Sequence, residues 1–191
     1  MDVLTPAYTL TALGTACFVA FTWALRGHFR TPGASPAGVW LICGLSLFSF
    51  VWFLWDILHG VIEAAWPVAA PLFVLSFALF FSAIRASRPA GLTVAFAADQ
   101  PRTLLRHGPY RYIRHPFYSS YIAFWTAVAI ARPGWQPWAA SAALYGIYWV
   151  AARHEEGKFE RSGLVAAYAA YRQHTGMFLP RLPQLALLTR S

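Results

Sequence analysis

The side chains able to do chemistry are gathered in two short runs. His107-Gly108-Pro109-Tyr110-Arg111-Tyr112-Ile113-Arg114-His115-Pro116-Phe117-Tyr118 stands directly before an apolar stretch, and Arg153-His154-Glu155-Glu156 directly follows another. Adjacent carboxylates at the edge of an apolar segment are costly unless they meet a cation or hydrogen-bond donors. Arg114 and His115 can satisfy a carboxylate, while the tyrosines offer ring faces to a cation and hydroxyls to polar groups. Together these residue types suit a zwitterionic ligand that carries hydroxyls and a cationic centre. The plain alternative is an ordinary interfacial aromatic belt with ordinary positive charge at the helix ends.

The elements that must position these runs follow from composition. Of the 191 residues, 58% are hydrophobic and only 12% charged, against about 25% charged in an average soluble domain. That leaves too few polar groups to cover a water-facing globule, and the chain is far too apolar for disorder. Stretches 7–25, 37–58 and 66–84 each approach the roughly 20 residues needed to cross about 30 Å of hydrocarbon. Two more, 117–131 and 135–152, flank the turn Arg132-Pro133-Gly134. The first of these is short for a span, so the pair is expected as a tilted hairpin or one that starts below the membrane surface. Backbone hydrogen-bond satisfaction in lipid makes all five helical.

Charge orients the helices. The net charge is +8, from 15 Lys and Arg against 7 Asp and Glu. With the N-terminus outside and five spans, every Lys and Arg except Arg132 falls on the cytoplasmic side, and the loop 58–66 carries Glu63 but no Lys or Arg. No Lys or Arg precedes Arg26, so the first apolar stretch lacks the positive start of a secretory signal and is read as a retained span. The expectation is an all-α integral membrane protein with five transmembrane helices, N-out and C-in. It has a cytoplasmic cofactor pocket and a C-terminal interfacial helix. Residues 1–191 form a single membrane domain, with three N-terminal spans in 1–85 and a catalytic half in 86–191. The hairpin of helices four and five brings the two polar runs to one membrane face. The tail 154–175 reads as a helix interrupted by Gly157 and Gly163, with Phe159, Leu164, Tyr168 and Tyr171 toward the membrane.

Other classes are disfavoured. Basic charge on so apolar a chain points to anionic headgroups rather than nucleic acid. Cys17 and Cys43 lie inside apolar runs, which argues against a disulfide framework or a thiolate zinc site. No two histidines have metal-ligand spacing with a third partner, so no metal is expected. There is no glycine-rich phosphate loop and no dinucleotide fingerprint. Asp56 and His59, one turn apart, read as a solvated or snorkelling pair near the outer interface, with a proton relay or cation site as the alternative.

The run from Gly108 through Tyr118, then Glu155-Glu156, then Tyr168, Tyr171, Phe178 and Pro180, resembles the isoprenylcysteine carboxyl methyltransferase and phospholipid methyltransferase superfamily. The shared pattern is G-x-Y-x-x-x-R-H-P-x-Y-x-G, then E-E-x-x-L, then Y-x-x-Y-x(6)-F-x-P, and it covers roughly 102–180. The resemblance implies methyl transfer from S-adenosyl-L-methionine to a lipophilic small-molecule or lipid acceptor in the membrane. It implies a cofactor pocket lined by Arg114, His115, Pro116, Phe117 and Tyr118, flanked by Tyr110 and by Arg102, Thr103, Leu104 and Leu105. Glu155 would meet the cofactor's polar end with Glu156 in support. Glu156, Arg153 and His107 are the candidate catalytic groups; an amine acceptor needs a base, for which His107, His154 or Glu156 could serve, whereas a carboxylate or thiolate needs none.

Three positions depart from the pattern. Ser120 replaces its glycine, Phe159 replaces its leucine, and Ala151 stands where prenylcysteine enzymes place an arginine. The acceptor therefore stays open between a prenylcysteine carboxylate, a phospholipid amine and a thiol. Two readings compete. Membrane reductases that use NADPH share the R-H-P-x-Y segment but typically carry Asn after the proline and an acid after the tyrosine; here Phe117 and Ser119-Ser120-Tyr121 stand there. A non-enzymatic protein that binds lipid headgroups or a partner is the other.

Overall fold

The computed structural model describes residues 4–30, 36–62, 65–97, 101 and 103–181. Among the described residues six α-helices follow in order: α1 (Leu4–Gly27), α2 (Ala37–Leu58), α3 (Trp66–Ser87), α4 (Pro116–Ile130), α5 (Gln136–Glu160) and α6 (Val165–His174). The described residues contain no strand, only the isolated bridges Arg30–Thr93 and Ile113–Gly176. The all-helical expectation holds, and the five apolar stretches fall on α1 to α5, the last of which runs eight residues past the expected end at 152, to Glu160.

Three of these helices, in α1, α2 and α3, are long and apolar enough to cross a membrane. They bury one narrow face and expose large apolar side chains on the others, among them Trp40, Phe48, Trp55, Val74 and Phe77. In water such exposure would be prohibitive; in lipid it is the solvated state. Helix α4 has 15 residues, about 22 Å of rise against roughly 30 Å of hydrocarbon. It is not among the helices long and apolar enough to cross by themselves, and it lies within the bundle. It packs most extensively against α3 and also against α5 and α1, and Phe117, Tyr118, Phe124, Trp125, Ala127 and Val128 are all buried. Pro116 starts it at the first helical position, where no amide hydrogen bond is lost.

One ion pair links the far end of the bundle. Arg132, in the turn between α4 and α5, donates through Nε to Asp56 Oδ2 at 2.7 Å, and its guanidinium lies 4.6 Å from the Trp52 ring centroid. Both side chains are largely buried. Asp56 is thus partnered by Arg132 rather than by His59, whose Nδ1 bonds the Trp55 carbonyl at 2.8 Å while its ring stacks on Trp55. The pairing was invisible in sequence because 76 residues separate its members. Glu63 lies outside the described residues.

The tail corrects another expectation. Gly157 does not interrupt α5, which runs unbroken to Glu160; the break comes only around Ser162 and Gly163. Tyr168 and Tyr171 of α6 do not face the membrane. They are 4% and 8% exposed and turn inward, Tyr168 stacked on Phe159 at 4.7 Å and Tyr171 donating to the Tyr110 carbonyl at 2.6 Å. Amphipathicity predicts that a face is buried, not what buries it.

Candidate functional site

Four elements meet at the start of α4. A 3-10 turn over Gly108–Arg111 leads the chain into His115, the residue just before the helix. Segment 175–178 pairs alongside this approach: Arg114 N donates to Gly176 O at 2.8 Å, His115 N to Met177 O at 3.1 Å, and Gly176 N to Tyr112 O at 3.1 Å. Ser119 Oγ fastens the same segment through the Phe178 carbonyl at 2.7 Å. Gly176 is required by space, since a Cβ there would lie 1.7 Å from the Leu179 carbonyl oxygen. The end of α5 completes the site by delivering Glu155 and Glu156.

The His115 ring lies between the two carboxylates. Its Nδ1 is 3.5 Å from Glu155 Oε2 and its Nε2 is 3.3 Å from Glu156 Oε1. Two acceptors facing two ring nitrogens are best met by the doubly protonated imidazolium. Burial opposes that charge, but the paired carboxylates outweigh it and raise the His115 pKa above its ordinary value. Glu156 also accepts from Arg114 Nε at 2.8 Å, and Arg114 donates to the Thr175 carbonyl at 2.5 Å. For Glu156, burial alone would favour protonation; the hydrogen bonds from His115 and Arg114 win and hold its pKa at about 2. Glu155 accepts from Tyr118 Oη at 2.5 Å and keeps 29% of its side chain exposed, against 2% for Glu156.

Four buried side-chain polar atoms have no hydrogen-bond partner among the described residues, and two of them, Glu156 Oε2 and Tyr168 Oη, belong to this end of the bundle. The Glu156 charge acts on Tyr168, whose pKa burial has already raised. Arg153 NH1 stands 3.8 Å from the same Glu156 oxygen, with half of its side chain in solvent.

Of the residues singled out from sequence, Arg114, His115, Tyr118, Glu155, Glu156 and Arg153 are brought together. Tyr110 is buried beside them and its carbonyl anchors α6 through Tyr171. Pro116 is buried at the helix start. Phe117 packs toward α1 and α3, against Phe29 and Phe80 at 5.0 and 5.5 Å. His107 bonds the Ala86 carbonyl at the end of α3 through Nε2 at 2.9 Å. Thr103, Leu104 and Leu105 lie in the loop before the 3-10 turn, and Arg102 lies outside the described residues. Ser120, in place of the pattern's glycine, turns its hydroxyl back onto the Phe117 carbonyl at 2.7 Å, so the substitution leaves no buried donor unmet. Sequence reasoning missed Thr175 and Gly176. Their contribution is mostly backbone, and only the spacing between Tyr171 and Phe178 hinted that this stretch returns to the site.

The fold and the cluster define a class: a helical membrane protein with a buried acid–base network at one end of its bundle. The chain belongs to the phospholipid methyltransferase family, whose pattern matches residues 65–163, more than half of its length. That region runs from the loop before α3 through α5 and holds both polar runs. No curated protein and no solved structure matches the chain.

Proposed function

We propose that this protein transfers a methyl group from S-adenosyl-L-methionine to a lipophilic acceptor at the membrane, in the manner of an isoprenylcysteine carboxyl methyltransferase. The observation that carries the reading is the part-exposed Glu155, held by Tyr118 and His115 at the rim of the buried network. A part-exposed carboxylate fits the ammonium of the donor's amino-acid end, and the half-exposed guanidinium of Arg153, two residues before Glu155, fits its carboxylate. Glu155, Tyr118 and Arg153 would hold that end, and His115, Arg114 and Glu156 would fix Glu155 in place. The bound sulfonium supplies an activated methyl group for in-line displacement.

The protein's own work is alignment and the exclusion of water. Tyr118 and His115 orient Glu155. The network neutralises itself, two carboxylates against Arg114 and the His115 imidazolium, so it stays ionised in a poorly hydrated place. Glu156, with a pKa of about 2, is too weak a base to deprotonate an ammonium at neutral pH and acts as a positioning residue. This favours an acceptor that is already a nucleophile, a carboxylate or a thiolate. The family match supports the second reading, a phospholipid amine, for which His107 or His154 would take the proton. The site would face the cytoplasm, with five spans, N-out and C-in, and membrane lipid around α1 to α3.

Calorimetry of S-adenosylhomocysteine on the detergent-purified chain tests the donor, with NADPH alongside. Binding that is lost in Glu155→Ala and weakened in Tyr118→Phe is the expected result. Binding of NADPH alone would move the protein to the reductases. Labelled-methyl assays with prenylcysteine analogues and with phospholipid vesicles then separate the acceptors.

A further inference from the structure

Segment 91–97, which follows α3, is neither helix nor strand, yet it is pinned from several sides. Arg30 N donates to the Leu92 carbonyl at 2.8 Å, and Val94 N to the Arg30 carbonyl at 3.0 Å. Val94 and Ala97 are buried against Val39 of α2. The Ala97 carbonyl accepts from Lys158 Nζ of α5 at 3.2 Å. Phe96 has φ +60°, a left-handed conformation that a bulky residue avoids. Its ring lies 5.8 Å from that of His154, next to Glu155 in the chain. It also fills the space above Gly38, where a Cβ would come within 2.4 Å of it. A strained residue held by its surroundings is a reason to ask what it is held for.

The strap packs over the core beside the site, with Ala95 and Phe96 against the buried cluster that holds Tyr118 and Tyr148. Val39, Cys43 and Ser46 share a face of α2 at helical spacing. Val39 and Cys43 pack with the strap. Tyr148 stacks on Tyr118 at 5.7 Å, and Tyr118 donates to Glu155. The neighbouring faces of α2 expose Trp40, Leu41, Leu47 and Phe48, as a lipid-side approach requires.

We propose that strap 91–97 gates the approach of the acceptor's hydrocarbon chain from the bilayer to the Glu155 site, with Phe96 as the residue that selects which chain enters. The chemistry it serves rests on the methyl-transfer reading; the gate itself can be judged without it. Val94, Ala95, Phe96 and Ala97 pack through apolar side chains, which suits a chain rather than a headgroup.

Two variants open the gate by different means. Gly38→Ala displaces the Phe96 ring while improving the helix propensity of α2, and Phe96→Ala removes the ring. In a Cys17→Ser background, Cys43 is modified with ethyl- and dodecyl-maleimide in nanodiscs. Both variants should react about tenfold faster with the long-chain reagent and gain less with the short one, the discrimination expected of an apolar constriction. S-adenosylhomocysteine affinity should stay within about twofold of wild type, because the donor-binding groups are untouched. Unchanged Cys43 rates in both variants would overturn the gate. Equal acceleration of both reagents would overturn the role of Phe96 in selection. A wild type that binds no S-adenosylhomocysteine would overturn the methyl-transfer reading, and the gate would still stand or fall on the cysteine rates.

Discussion

A helix turns about 100° from one residue to the next, and that rotation separates the work of Glu155 from that of Glu156. Glu156 is enclosed by Arg114 and His115, while Glu155 keeps an open edge. Glu156→Gln leaves two buried cations facing a neutral amide and should cost about 3–5 kcal/mol of stability, measured by chemical unfolding in mild detergent. Glu155→Gln should cost under about 1 kcal/mol, as its partly solvated contacts suggest, and should instead weaken S-adenosylhomocysteine binding. The pH dependence has two limbs. Because the folded pKa of His115 is raised, its contribution is complete below about pH 6.5, the unfolded value, and is lost as pH climbs through the higher folded value. Glu156 is the opposite case: its contribution is present above its unfolded value of 4.5 and is lost as pH falls toward about 2. Thermal unfolding against pH should therefore show greatest stability between those two unfolded values, and His115→Gln should abolish the alkaline decline while the acid limb remains.

At the scale of elements, two fastenings hold the site's helices in register. Near the site, segment 175–178 is hydrogen-bonded to the approach to α4. Gly176→Ala forces a side chain into the Leu179 carbonyl; it should release this segment from Arg114 and lower the unfolding midpoint, whereas Gly163→Ala, with open space around it, should not. At the far end, Asp56 and Arg132 tie α2 to the turn between α4 and α5. Asp56→Ala strands an arginine whose side chain is only 3% exposed and should destabilise by about 3 kcal/mol. The double variant Asp56→Ala/Arg132→Ala should recover much of that loss, and a thermodynamic cycle gives the coupling directly.

For the whole molecule, the ion pair also places Arg132, the one basic residue that the charge pattern puts outside, beside a carboxylate at the same end of the bundle. An arginine neutralised in this way is compatible with the N-out, C-in arrangement proposed above. Cysteine labelling tests it on a background without Cys17 and Cys43. A membrane-impermeant maleimide added to intact cells should modify Gly60→Cys and spare His174→Cys, and the reverse pattern would invert the topology.

The sequence by itself determined the helices and most of their ends, though not the run of α5 through Gly157 to Glu160, because a long apolar run in lipid has no other way to satisfy its backbone. It also marked Arg114, His115, Tyr118, Glu155 and Glu156 as a group, because their types and order form a recognisable pattern. Tertiary structure alone decided the division of roles between the two glutamates, the partner of Asp56, and the inward turn of Tyr168 and Tyr171. It decided too that backbone atoms of Thr175 and Gly176 complete the site. The physical reason is common to all four. Burial, pKa and ion pairing depend on distances between groups far apart in the chain, 41 residues for His115 and Glu156 and 76 for Asp56 and Arg132, and no local periodicity encodes those distances.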